Sequence, residues 1–291
     1  MSRADPSPEL NEPDPEVLLR IRDAVEQAAR AAGRLQLEAF RQGSDVVEAR
    51  AHDLKLEIDR LSEEVIVGIV SAAFPDHGIL AEETGYRPGR SERSAYHWII
   101  DPLDGSVNFH HGIPFFCVSL ACYGQPPSCG LPGFGGATSL GEPVVGVVFV
   151  PVFDELFSGL KGGGATCNGR PITAGSEKAL KDAVIGISFG SREETMQQMC
   201  SMSADLVRDV RKLRMLGATA LEMVHVACGR LSALVQGRVR PWDFAAARLI
   251  LEESGGVFYA REVDPGGWEI LASAPGLYRE LKGLLEPSSG A

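Results

Sequence analysis

The stretch Trp98-Ile-Ile-Asp101-Pro-Leu-Asp104-Gly-Ser106-Val-Asn-Phe109 places two carboxylates three residues apart, straight after an apolar run. A Gly-Ser turn follows, and a second apolar run begins at Phe115. A strand ending this way delivers two anions to the rim of a sheet and exposes backbone N–H groups beside them. Carboxylate oxygens attract Mg²⁺, and free N–H groups attract phosphate oxygens. One short segment can therefore hold both halves of a metal-dependent phosphate site. Asp-Pro and Asp-Gly are also ordinary turn dipeptides with solvated carboxylates, so the segment alone leaves both readings open.

Three other acidic positions occupy abrupt junctions. Glu82-Glu83 directly follows the strand-like Gly78-Ile-Leu-Ala81. Asp243 follows Pro241-Trp242 at the start of a helical pattern whose Ala245-Ala-Ala247 face can pack closely. Asp59 lies near the start of another helix. Each has an ordinary alternative: a solvated strand end, helix N-terminal charge stabilisation and a solvated helix face, respectively.

The elements that must carry these residues are readable from periodicity. Asp14-Pro15 reads as an N-cap and first-turn proline. An amphipathic helix over 15–41 follows, with Val17, Leu18, Ile21, Val25, Ala28 and Ala29 at helical spacing and Gly43 as its stop. A second helix spans 56–74, with Ile58, Leu61, Val65, Ile66 and Ile69 on its buried side and Pro75 after it. Short apolar runs at 79–80, 97–100, 115–123, 144–150 and 156–160 read as buried strands. Residues 124–142, rich in Gly, Pro and Ser, form a loop between two of them. From about Lys161 strands and helices alternate: strands at 183–189, 213–216 and 231–236, helices at 193–209, 218–228 and 242–254.

Composition narrows the class. The chain has 291 residues, 44% of them hydrophobic, enough for one large domain. No apolar run is long enough to span a membrane. Residues 1–14, rich in Pro, Asp and Glu, read as a disordered tail without the marks of a secretory signal. Residues 15–291 read as one catalytic domain, an α+β half at about 15–165 and an α/β half at about 166–291, with the site between them. The six cysteines are scattered without a CxxC pair, which fits a reduced, cytoplasmic setting. The formal net charge is −11 and no basic stripe is present, which disfavours nucleic-acid and membrane partners. An acidic protein repels an anionic substrate unless cations intervene, so at a phosphate site here bound metal should supply most of the positive charge.

Taken together, Ala81-Glu82-Glu83, Asp101-Pro-Leu-Asp104-Gly-Ser106-Val-Asn108-Phe109 and Trp242-Asp243-Phe-Ala-Ala246 resemble, in order and spacing, the three signatures of the inositol monophosphatase family. The runs 162–172, 217–230 and 252–256 resemble its glycine-rich hairpin, the helix before its last signature and its closing Glu-Ala-Gly-Gly. The resemblance covers about residues 15–285. It implies a layered αβαβα sandwich of the inositol monophosphatase and fructose-1,6-bisphosphatase type. It also implies two or three Mg²⁺ ions, hydrolysis of a phosphate monoester without a covalent intermediate, and a homodimer. One ion would be held by Glu82, Asp101 and the backbone carbonyl of Leu103, and a second by Asp101, Asp104 and Asp243. A third, weaker ion would sit near Glu82. Glu82, assisted by Ser106 and Asp59, would orient and deprotonate the attacking water. The N–H groups of Gly105 and Ser106 would hold a phosphate oxygen.

Departures from the family pattern concern mostly substrate choice. Ser106 stands where Thr is common, and Leu56 replaces a Thr in Asp53-Leu-Lys-Leu-Glu-Ile-Asp59. His52 precedes that segment and reads as a structural or surface residue, as do His110 and His111 beside the first signature. In the animal inositol enzymes an acidic residue ahead of the Trp-Asp signature binds sugar hydroxyls, and its counterpart here is Gln236. Thr219 and Ser191 are further candidates for substrate hydroxyls, beside Asp104 and Asp243. The expected substrate is a myo-inositol monophosphate. Histidinol phosphate, fructose-1,6-bisphosphate, NADP and 3′-phosphoadenosine 5′-phosphate are alternatives with the same chemistry. No basic cluster is evident near the signatures, which leans against a substrate with a second phosphate. An inactive metal-binding regulatory protein would lack a ligand, and none of the expected carboxylates is missing.

Overall fold

A computed structural model of the chain describes residues 14–42, 46–50, 53–91, 94–124, 140–190 and 192–285. The expected N-terminal tail, Gly43, His52, Cys129, Ser191 and nearly all of the 124–142 loop lie outside the described residues.

Helix α1 (Pro15–Gln42) begins as its cap predicts: the Asp14 carboxylate accepts the Glu16 N–H at 2.9 Å. Its buried stripe runs through Leu18, Ile21, Val25, Ala28, Ala29 and Ala32 and ends on Gln36. A hairpin of β1 (Val46–Arg50) and β2 (Asp53–Leu56) leads into α2 (Glu57–Ala73).

The α2 face differs from the apolar expectation. Leu61 is 39% exposed, whereas Asp59, Ser62 and Glu63 are buried. Burying a carboxylate costs several kcal/mol unless it is bonded. The cost is offset because this face looks onto backbone that needs acceptors. Asp59 accepts the Leu56 N–H at 2.6 Å, and Glu63 accepts the N–H groups of Glu83 and Thr84 at 2.8 and 3.0 Å. Hydrophobic periodicity alone cannot see such a face.

Eight strands form the larger sheet. They are β3 (Gly78–Ala81), β4 (Gly85–Arg87), β5 (Tyr96–Asp104), β6 (Cys117–Gly124), β7 (Glu142–Val150), β8 (Glu155–Leu160), β9 (Gly164–Cys167) and β10 (Arg170–Pro171). Their order is β10-β9-β8-β7-β6-β5-β3-β4. Only the β3–β5 pair is parallel; β4, β6 and the later strands pair antiparallel. The short helix α3 (Ser106–His110) interrupts the chain between β5 and β6.

The second sheet has the order β12-β11-β13-β15-β14. Its members are β11 (Val184–Ser188), β12 (Lys212–Arg214), β13 (Ala233–Val239), β14 (Val257–Asp264) and β15 (Gly267–Ser273). β12, β11 and β13 are parallel, and β15 and β14 are antiparallel. The helices of this part are α4 (Glu193–Asp209), α5 (Thr219–Ala227), α6 (Pro241–Glu253) and α7 (Tyr278–Leu285).

The elements stack in five layers. α1 and α2 cover one face of the large sheet, α5 and α6 lie between the two sheets, and α4 and α7 cover the far face of the small sheet. This is the expected αβαβα sandwich. The middle layer is tight. A β-carbon on Gly146 of β7 would sit 2.4 Å from the Ala246 carbonyl oxygen of α6. The glycine and the Ala245-Ala246-Ala247 face together let helix and sheet approach. That approach brings α6 and Asp243 to the end of β5.

Candidate active site

Register explains the first pair. β3 and β5 are parallel neighbours with Ala81 opposite Ile100. The next residues along, Glu82 and Asp101, therefore fall side by side, and the Glu82 N–H donates to the Ile100 carbonyl at 3.1 Å. Their carboxyl groups stand close enough to act on each other's affinity for a proton or a cation. Both are pushed well above the ordinary carboxylate range. Burial is the first cause in each. For Glu82 the charges of Asp243, Glu83 and Asp59 follow, and for Asp101 those of Glu82, Asp104 and Asp243. Glu83 points elsewhere and is clasped by Lys55 Nζ at 2.7 and 2.8 Å. The neighbouring glutamates are thus separated in role.

Asp104 sits at the end of β5 and meets the N-terminus of α5. Oδ1 accepts the Thr219 N–H at 3.1 Å, and Oδ2 accepts those of Ala220 and Leu221 at 2.7 and 3.4 Å. The buried Cys117 thiol lies 3.6 Å from Oδ2. Burial raises this carboxyl to about 6 against the lowering effect of the helix N–H groups. Asp243, in the first turn of α6, accepts the Arg240 N–H at 2.7 Å.

The turn between β5 and α3 is shaped by Gly105, at φ 95°. A β-carbon there would lie 2.8 Å from the Phe115 carbonyl oxygen. The N–H groups of Gly105 and Ser106 open α3, where a helix ladder leaves donors without intrahelical partners. The Ser106 hydroxyl donates to the Leu103 carbonyl at 3.2 Å, and Leu103 N–H donates to Asp101 Oδ1 at 3.1 Å. On the other side, the Thr219 hydroxyl meets Gln236 Oε1 at 3.0 Å. His110 and His111 are exposed, their rings 5.1 Å apart.

The fold thus gathers Glu82, Asp101, Asp104, Asp243 and Asp59 into one electrostatically coupled group. Among the described residues, no three acidic, thiol or imidazole groups already stand around a common point as a metal would require. Instead the oxygens of Asp59, Asp101, Asp104 and Asp243 accept backbone N–H groups. The donors are nonetheless those a hard cation needs: carboxylates and a carbonyl. These residues fit a hard divalent cation such as Mg²⁺, which would relieve their mutual repulsion.

Four supporting residues have roles that the motif reading does not assign. Gln36 donates from Nε2 to the Pro102 carbonyl at 2.6 Å, fixing the middle of the Asp101–Asp104 segment. Glu63 holds the turn after Glu82. Asn108 donates to the carbonyls of Phe115 and Leu216 at 2.8 and 2.7 Å. Glu222 accepts the N–H groups of Leu216 and Gly217 at 3.2 and 3.1 Å, steadying the entry to α5. The available signal was a polar residue on an otherwise apolar helical stripe, visible for Gln36 and Glu222.

Comparison with known proteins identifies the family. The profile of the inositol monophosphatase family matches residues 18–131 and 134–286. Inositol monophosphatase 1 of Solanum lycopersicum is 36% identical over 247 residues, 84% of each chain. Nus factor SuhB of Pseudomonas aeruginosa is 35% identical over 237 residues, 79% of this chain and 82% of that one. The crystal structure of extragenic suppressor protein suhB from Bartonella henselae superposes with a TM-score of 0.80 at 30% identity, covering 92% of this chain and 99% of that one. The chain belongs to the inositol monophosphatase family and is a phosphoric monoester hydrolase.

Proposed function

We propose that the chain hydrolyses the phosphate monoester of a small polyol, with a myo-inositol monophosphate as the reference substrate. The observation that carries this reading is the juxtaposition of Glu82 and Asp101 at the paired ends of β3 and β5, with the buried Asp104 on the same strand and Asp243 close enough to act on both. Glu82, Asp101, the Leu103 carbonyl, Asp104 and Asp243 would hold two or three Mg²⁺ ions, which would supply positive charge for the phosphate and ease deprotonation of water. Residues 15–291 act as one unit, with the site between its two halves.

The chain's own groups divide the remaining work. Gly105 and Ser106 N–H groups hold a phosphate oxygen, which the left-handed turn at Gly105 makes possible. Glu82 accepts the proton of the attacking water, with Ser106 and Asp59 fixing its orientation. The water oxygen forms a bond to phosphorus, the bond from phosphorus to the alcohol oxygen breaks, and the proton ends on the alcohol. Asp104, Thr219, Gln236 and Asp243 contact the alcohol's hydroxyls; Gln236 is neutral and can both donate and accept.

A phosphate-release screen tests the reading. It covers inositol monophosphates, histidinol phosphate, fructose-1,6-bisphosphate, NADP and 3′-phosphoadenosine 5′-phosphate, with and without Mg²⁺. Mg²⁺-dependent release from inositol monophosphates supports it. No release from these beside rapid release from another compound overturns the substrate choice.

A further inference from the structure

Gln36 ends the buried stripe of α1, whose other members are all apolar or glycine. It is fully buried, and its Oε1 has no hydrogen-bond partner among the described residues. An orphaned buried acceptor is expensive, and a leucine at this position would avoid the cost. The other end of the amide is engaged. Nε2 donates to the Pro102 carbonyl at 2.6 Å and to the Ser62 hydroxyl oxygen at 3.3 Å. Turning the amide over would set Oε1 against the Pro102 carbonyl, acceptor facing acceptor, so the network fixes which atom reaches it.

The Pro102 carbonyl takes this donor where the sheet ladder is interrupted. β5 and β6 pair Asp101 with Ser119 and Asp104 with Cys117, so Pro102 and Leu103 together stand opposite Val118. β5 thus carries one extra residue, a β-bulge, and the ladder is disrupted there. Pro102 has no N–H to give in any case. The bulge sends its two carbonyls to different partners. Gln36 of α1 holds that of Pro102, and the Ser106 hydroxyl of α3 holds that of Leu103 at 3.2 Å. The Leu103 N–H closes the bulge on Asp101 Oδ1 at 3.1 Å. The Asp101 carboxylate and the Leu103 carbonyl therefore hang on a bulge whose other carbonyl is anchored from a different layer of the fold.

We propose that Gln36 is a positioning residue for the cation site. By holding the Pro102 carbonyl it fixes the bulge from which Asp101 and the Leu103 carbonyl would reach Mg²⁺, and so sets how tightly the ion binds. Ligands already held in place bind a cation better than ligands that must be ordered on binding. Gln36 itself touches neither the ion nor the substrate. The inference rests on the cation assignment in the reading above and is independent of which ester is cleaved. The competing role is a strut that fastens α1 to β5 and contributes stability alone.

The test measures Mg²⁺ binding by calorimetry without substrate, and Tm without Mg²⁺, for the parent chain, Gln36→Met, Gln36→Asn and Ser62→Ala. Methionine continues the apolar stripe at similar volume, and asparagine keeps an amide but withdraws it by one methylene, so the pair does not depend on one variant folding. Ser62→Ala leaves the Pro102 bond in place. Both Gln36 variants should bind Mg²⁺ about ten-fold more weakly or worse, with Ser62→Ala within about two-fold of the parent chain. In turnover, the Mg²⁺ concentration for half-maximal phosphate release should rise by the same factor, while KM for the ester at saturating Mg²⁺ stays within about two-fold. Unchanged Mg²⁺ binding in a folded Gln36 variant, whatever its Tm, assigns the residue to the strut and overturns the proposal. Equal weakening in all three variants shows a general loosening of α1 against α2 and also overturns it. A parent chain that binds Mg²⁺ but releases phosphate from no ester overturns the phosphatase reading and leaves the positioning role standing. No Mg²⁺ binding by the parent chain overturns both.

Discussion

Glu82 and Asp101 stand side by side where the parallel β3 and β5 end, with the Glu82 N–H on the Ile100 carbonyl at 3.1 Å. Burial and the surrounding anions hold both carboxyls well above the ordinary range, so a proton bound there is held tightly. A cation and that proton compete for the same oxygens. Mg²⁺ binding should therefore release protons and raise Tm, more at pH 8 than at pH 6. A 100-fold excess over the dissociation constant stabilises by about 2.7 kcal/mol. Calorimetry in buffers of different ionisation enthalpy checks the proton release. Binding without proton release, or stronger binding at the lower pH, contradicts the competition.

Glu222 provides a second pH signature. Its carboxyl is raised to about 7, first by burial, with Oε2 lacking a hydrogen-bond partner. The folded chain keeps this proton between about 4.5 and 7, whereas the unfolded chain loses it near 4.5. Stability from this group is present at low pH and fades as pH rises through that window, by up to about 3 kcal/mol. The amide of Glu222→Gln cannot titrate. Its Tm relative to the parent chain should climb from pH 4.5 to 7.5, which denaturation at several pH values would show.

His97 titrates in the opposite sense. It is 2% exposed, and burial followed by the neighbouring His77 lowers its pKa to about 4. The unfolded chain takes up a proton near 6.5 that the folded chain refuses. Stability is thus full above 6.5 and falls as pH drops toward 4, by up to about 3 kcal/mol. His97→Phe should flatten that limb of the stability curve. An unchanged acid limb would show that His97 is not buried as a neutral ring.

Gly105→Ala tests the turn that presents the phosphate-facing N–H groups. The new β-carbon would meet the Phe115 carbonyl at 2.8 Å in a left-handed conformation. A cost of about 1–3 kcal/mol follows. Because the turn itself must shift, kcat should fall while the far-ultraviolet circular dichroism is kept. Unaltered kcat would remove these N–H groups from the site.

Much of this was legible because motif and strand end coincide. The place of Asp101 and Asp104 at the end of a strand is legible because the apolar run before them is a buried strand, and the N-cap of α1 stands at Asp14. The expected buried side of α2 fails at Leu61 because its polar face serves the backbone around Glu83 rather than the core. The hairpins β1–β2 and β14–β15 carry mixed polar sequences that give no clean alternation. Arg192, Arg238 and Asp264 are far apart in the chain and meet because β14 and β15 pair back onto β13. Contacts made by tertiary pairing leave no local pattern.

The most direct measurement of the central claim is Mg²⁺-dependent phosphate release from myo-inositol 1-phosphate by the parent chain, Asp104→Asn and Asp243→Asn. Each substitution keeps the side-chain shape while removing the charge. The account predicts that kcat falls about 100-fold or more in both variants, with the far-ultraviolet circular dichroism kept, although Asp104→Asn, which loses an acceptor for the α5 N–H groups, lowers Tm. Near-normal turnover in either folded variant would contradict it.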